Sequence, residues 1–156
     1  MAELSSDSSS SLQWLLQFSA CDAATTLSSA QIAALSPVAL AYIGDAVYEL
    51  FVRGSLLLPP KRIQVFHQQV VNQVRAEQQA QQVKQLAPLL NETEQDLLRR
   101  GRNASSRGPR RVDGQVYQQS TGFEALVGYL YLTNPTRLVE LLSTLELSTP
   151  PPNGAS

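Results

Sequence analysis

At 156 residues the chain is long enough for one domain with a real hydrophobic core. Its hydrophobic content of 43% is ordinary for a globular protein, and no apolar run reaches the roughly 18–20 residues that a membrane-spanning helix needs. The net charge is −1, but six of the twelve Lys and Arg residues fall between Arg99 and Arg111, in a stretch with no acid. That excludes a protein coated in positive charge and points to one local docking place for an anion.

The lone cysteine, Cys21, excludes an internal disulfide and fits a reducing compartment. One Cys and one His (His67) argue against a Cys/His zinc site within one chain. A metal here is expected to take oxygen ligands, which favours Mg²⁺ or Mn²⁺.

Residues 1–11 are Ser-rich and read as a disordered tail. They lack the marks of a transit or signal peptide, so a cytoplasmic protein is expected. A short helix is expected over 12–18, anchored by Trp14. Ser36-Pro37 is an N-cap followed by proline at the first helical position, and the helix it opens is expected to run to Arg53 and stop at Gly54. Leu58-Pro59-Pro60 is a connector. One long helix is expected over 62–86, with Ile63, Phe66, Val70 and Val74 as its apolar stripe and nine glutamines between 64 and 85 as its wet side. Asn91 to Glu94 reads as a capping box opening a helix to about Asn103. A loop spans 104–114. A helix is expected over about 115–132, and Asn134-Pro135 caps a last one to about Leu145. Residues 148–156 are a flexible Pro-rich end, which leaves 12–147 as the folded domain. No strand pattern of useful length appears, so the expected fold is an all-α helical bundle, with the two helices over 37–53 and 115–132 at its centre.

Those two helices carry the chemistry. Asp45 sits inside Leu40-Ala41-Tyr42-Ile43-Gly44-Asp45-Ala46-Val47-Tyr48-Glu49, and Glu124 inside Thr121-Gly122-Phe123-Glu124-Ala125-Leu126-Val127-Gly128-Tyr129-Leu130-Tyr131-Leu132. A carboxylate among apolar neighbours must be paired, protonated or bound to a metal. Two of them converging on one divalent cation, with a basic loop nearby, suit a metal-dependent enzyme that cuts a polyanion. Gly44 lets another backbone or a phosphate approach closely. Glu49 lies one turn beyond Asp45, and Thr121 one turn before Glu124.

These segments, together with Phe66-His67, Val70-Val71 and Leu98-Arg-Arg-Gly-Arg-Asn-Ala104, resemble the ribonuclease III catalytic domain, and more closely its short Mini-ribonuclease III branch, which lacks a double-stranded-RNA-binding domain. The resemblance covers about residues 36–142. It implies a helical endonuclease domain acting as a homodimer. It also implies Mg²⁺-dependent cleavage of double-stranded RNA to 5′-phosphate and 3′-hydroxyl ends, and maturation of the large-subunit (23S) ribosomal RNA precursor. By position, Asp45 and Glu124 are the implied catalytic and metal-binding carboxylates. Full-length ribonuclease III enzymes carry a glutamate where this chain has Ala41, and an aspartate where it has Thr121. Glu49, Thr121 and waters are then candidates to complete the ion's coordination.

Arg99, Arg100, Arg102 and Arg107 are the candidate RNA-binding residues, since arginine forks suit phosphates and duplex RNA is recognised chiefly by shape, phosphate and 2′-hydroxyl. Tyr42 and Ile43 are the candidate dimer contacts. Two alternatives stand beside the nuclease: an inactive member of the same fold serving as a ribosomal RNA scaffold, and a helical module whose arginines bind an acidic protein.

Overall fold

The computed structural model describes residues 27–147 except 106, 107, 109 and 111. The two tails, the expected helix over 12–18 and Arg107 lie outside the described residues. Seven α-helices occur among the described residues, and no strand: α1 Ser29–Ala33, α2 Pro37–Ser55, α3 Ile63–Val74, α4 Ala76–Leu86, α5 Glu92–Ala104, α6 Gly114–Thr133 and α7 Pro135–Ser143. The fold is all-α, as expected.

Local chemistry sets most of the boundaries. Ser36 caps α2 by accepting from the Ala39 amide, with Pro37 at the first helical position. The helix passes through Gly54 and ends at Ser55, a turn-end difference of two residues from expectation. Asn91 and Glu94 form the reciprocal capping box of α5, each side chain bonded to the other's backbone amide at 2.9 Å. The Asp113 carboxylate caps α6, and the Asn134 side chain caps α7. The short α1 was not expected; the Ser28–Gln31 capping box holds it.

The α6 helix is the centre of the molecule. Nine of its residues between Ser120 and Leu130 are buried, so its apolar character on most faces matches its place. The α2, α4, α5 and α7 helices pack around it. The α2 helix is two-faced instead: Leu40, Val47, Tyr48, Phe51 and Val52 are buried, whereas Val38, Tyr42, Ile43 and Leu50 are exposed. Only half of it belongs to the core.

The expected helix over 62–86 is two helices. Arg75 adopts an extended conformation (φ −63°, ψ 148°) between α3 and α4. An unbroken helix of that length would be a rod of about 37 Å and could not lie along both α2 and α6. The break lets α3 pack on α2 and α4 on α6. It also overturns the wet-side assignment: Gln73, Gln79 and Gln82 are buried. Ile63, the first member of the expected apolar stripe, is 73% exposed, while Phe66, Val70 and Val74 join the core.

Candidate active site

Glycines bring the two carboxylates together. A Cβ at Gly44 would lie 1.7 Å from the Glu124 carbonyl oxygen, and one at Gly128 would lie 2.0 Å from the Leu40 carbonyl oxygen. The α2 and α6 backbones therefore touch at a crossing that only glycine permits on either side. Asp45 follows the first glycine, and Glu124 lies one turn before the second. A similar contact holds α5 to α6, because a Cβ at Gly101 would fall 2.9 Å from the Gly122 Cα. Gly101 faces the contact, so Arg100 and Arg102 leave α5 on opposite flanks with Arg99 outermost.

The electrostatics fit a site made for a cation. Burial first, then the charge of Asp45, pushes the Glu124 carboxyl up to about 7. Asp45 is exposed, yet partial desolvation and then the charge of Glu49 push its carboxyl up from its ordinary value. The asymmetry is physical: Glu124 holds its proton longer, so Asp45 ionises against a neutral neighbour and feels Glu49 instead. Two acids that resist ionisation side by side gain most from an added positive charge. Among the described residues no group of three His, Cys, Asp or Glu side chains could hold an ion. A pair of carboxylates fits Mg²⁺, which keeps several waters and takes substrate oxygens in place of an all-protein cage.

The other candidates are placed as follows. The Glu49 carboxylate accepts from Arg53 at 2.8 Å. Thr121 is buried and its hydroxyl donates to the Tyr117 carbonyl at 3.1 Å. Tyr42 is 81% exposed and Ile43 40%, both on the open half of α2, where helical position puts Tyr42 next to Asp45 and Ile43 on the far flank with Leu50. Arg99 is ion-paired with Asp96, and Arg102 is exposed with its stem beside Gly122. Arg100 lines a groove with Leu97, Tyr129 and Thr133, away from its two neighbours. Sequence reasoning missed Gln79, which is 1% exposed and turned towards Glu124. A signal existed, since Gln79, Gln82, Val83 and Leu86 follow the spacing of one buried helical face. It also missed Arg137, which binds buried Glu94 at 2.8 Å and the Leu89 carbonyl at 2.7 Å and so ties α7 to α5.

Known proteins resemble this chain. The family model described as "Ribonuclease III domain" matches residues 38–135. The Mini-ribonuclease 3 of Thermosynechococcus vestitus is 57% identical over 111 residues, covering 71% of this chain and 74% of its own. That of Synechocystis is 54% identical over 116 residues, covering 74% and 81%. A crystal structure of a protein from Fusobacterium nucleatum, 26% identical, superposes with a TM-score of 0.67 over 71% of this chain and 92% of its own. The glycine-bound crossing, the carboxylate pair and these likenesses agree: the chain belongs to the ribonuclease III family of endoribonucleases, a generally divalent-metal-dependent family acting on RNA, and within it to the Mini-ribonuclease 3 group.

Proposed function

We propose that this protein is a Mg²⁺-dependent, cytoplasmic endoribonuclease that cuts double-stranded RNA as a homodimer and matures the large-subunit ribosomal RNA precursor. Mn²⁺ is the expected substitute for Mg²⁺. The observation that carries the reading is the convergence of Asp45 and Glu124 at the α2–α6 crossing, with each carboxyl pushed up from its ordinary value.

Asp45 and Glu124 would hold the ion and share its charge. Bound there, a divalent cation supplies Lewis-acid polarisation of the scissile phosphate and a more acidic water. The Asp45 side of α2 is open, which admits a backbone phosphate to the pair. Cleavage of the bond to the 3′ oxygen leaves a 3′-hydroxyl and a 5′-phosphate. Arg99, Arg100 and Arg102 on α5, with Arg107 beyond it, supply phosphate contacts that no separate RNA-binding domain in the matched region provides.

The exposed apolar face of α2 supports the homodimer. Val38 and Tyr42 lie beside Asp45, with Ile43 and Leu50 across the same open half of the helix, and twofold pairing there would set two sites for the two strands of a duplex.

Incubation of the protein with a long RNA duplex and Mg²⁺, and with a transcript carrying the paired ends of the large-subunit precursor, tests the reading. Cleavage of both is expected, and Asp45→Asn should keep the fold and RNA binding while losing cleavage. Binding without cleavage by the unaltered protein would point to the scaffold, and no RNA binding to a protein-interaction module.

A further inference from the structure

The inner face of α4 presents two glutamines to the core, Gln79 and Gln82, 1% and 3% exposed. A neutral amide so deeply buried needs a partner. The Gln79 Nε2 has no hydrogen bond of ordinary geometry. Its side chain faces the Glu124 carboxyl across the contact between α4 and α6, within reach of a hydrogen bond. Gln82 faces a different group, the Tyr48 hydroxyl, across the same helix surface.

From this deeply buried amide and its place against the Glu124 carboxyl, and resting on the proposed metal site, we infer that Gln79 is a positioning residue for Glu124. It donates from Nε2 to one carboxylate oxygen when Glu124 is ionised and leaves the other oxygen turned towards the cation. The break at Arg75 serves this contact, because it lays α4 against α6 and puts Gln79 behind the acid. A neutral donor suits the task. It fixes the carboxylate's rotation without adding a positive charge that would compete with the ion, as a lysine or arginine would. Groups that orient metal ligands in this way are typically worth 10- to 100-fold in metal affinity or activity.

The test is Mn²⁺ binding by the full chain without RNA, followed by electron paramagnetic resonance alongside the melting temperature. Gln79→Leu should raise the Mn²⁺ dissociation constant about tenfold. Its cleavage should need more Mg²⁺ and recover at high Mg²⁺. Gln82→Leu removes an equally buried amide and should leave Mn²⁺ affinity within about twofold, whatever it does to stability. Gln79→Met keeps the side chain's length and removes the donor, and it carries the test if Gln79→Leu does not fold. Asp45→Asn should abolish binding and reports on the metal site itself. If Asp45→Asn loses Mn²⁺ while both Gln79 variants bind like the parent, or weaken no more than Gln82→Leu, the positioning role is wrong and the site stands. If Asp45→Asn binds normally, the metal site and this inference both fail.

Discussion

The Cα of Gly44 rests on the backbone of Glu124, where a methyl group would meet the carbonyl oxygen at 1.7 Å and the Gly128 amide nitrogen at 2.8 Å. Neither obstacle is a side chain that can turn away. Gly44→Ala must therefore push α2 and α6 apart, moving Asp45 relative to Glu124. Overpacking ordinarily costs about 1–3 kcal/mol, and a backbone obstacle places this case at or above the upper end. A misplacement near 1 Å at a reacting centre costs about 100-fold in rate. Gly44→Ala is thus expected to lose at least about 3 kcal/mol in urea unfolding and most of its cleavage. Gly54, also in α2, has nothing within 4 Å of a Cβ, so Gly54→Ala should gain about 0.5 kcal/mol. Equal effects of the two substitutions would contradict the close crossing.

Gly44 also marks how far the sequence could be read. Its side-chain-free surface signalled a close approach, but not whether backbone or phosphate makes it; the structure puts the Glu124 backbone there. The caps at Ser36, Asn91 and Asn134 were legible because each is a local bond between neighbours in the chain. The break at Arg75 was not, because no proline, glycine or side-chain cap marks it. It arises from packing on two different helices, which is a tertiary demand. The same demand buries Gln79 and Gln82, which composition alone reads as wet. Asp45 and Glu124 stood out as candidates from the apolar stretches around them, while Gln79 became visible only with α4 laid against α6.

The raised pKa of Glu124 gives an unusual pH dependence. A carboxyl whose folded pKa lies above its unfolded value makes the folded state bind more protons between the two. The metal-free protein should therefore lose stability as pH rises from about 4.5 to about 7, the reverse of an ion-paired acid. Glu124→Gln keeps the shape and cannot ionise, so it should flatten that slope. At pH 8 without metal it should gain about 2 kcal/mol, allowing for the group's partial exposure. Urea titrations in chelator at fixed protein concentration read both slopes, and parallel curves would refute the burial of this charge. Binding of Mg²⁺ near pH 6 should release about one proton per site.

The exposed stripe on α2 predicts the oligomeric state. At micromolar concentration, ultracentrifugation should give about twice the 17.0 kDa chain mass. Ile43→Lys places a charge on the apolar face, beside Tyr42 and away from the carboxylate pair. It should shift the mass to that of the monomer and reduce duplex cleavage, with little change in helical content. An active parent that runs as a clean monomer would contradict the dimer.

The arginines of α5 and the loop after it predict a salt effect. Removing an arginine that binds a phosphate should weaken binding to every duplex alike and lower the slope of log affinity against log salt by roughly one unit. Arg100 leaves α5 on the flank opposite Arg102 and lines the groove beside Tyr129, so its contribution should differ from that of its neighbours. Arg99 already spends part of its charge on Asp96, an exposed pair worth little in itself, so freeing it costs the fold almost nothing. Replacing Arg99, Arg100, Arg102 and Arg107 together with alanine should raise the duplex dissociation constant and flatten its salt dependence, while the melting temperature stays nearly constant. Single substitutions should then show a smaller change for Arg100 if the duplex lies along the Arg102 flank, where α5 meets the Glu124 helix. An unchanged affinity and slope in the quadruple variant would move the docking surface to Lys61, Arg62, Arg75 and Lys84, the remaining cations on and before α3 and α4.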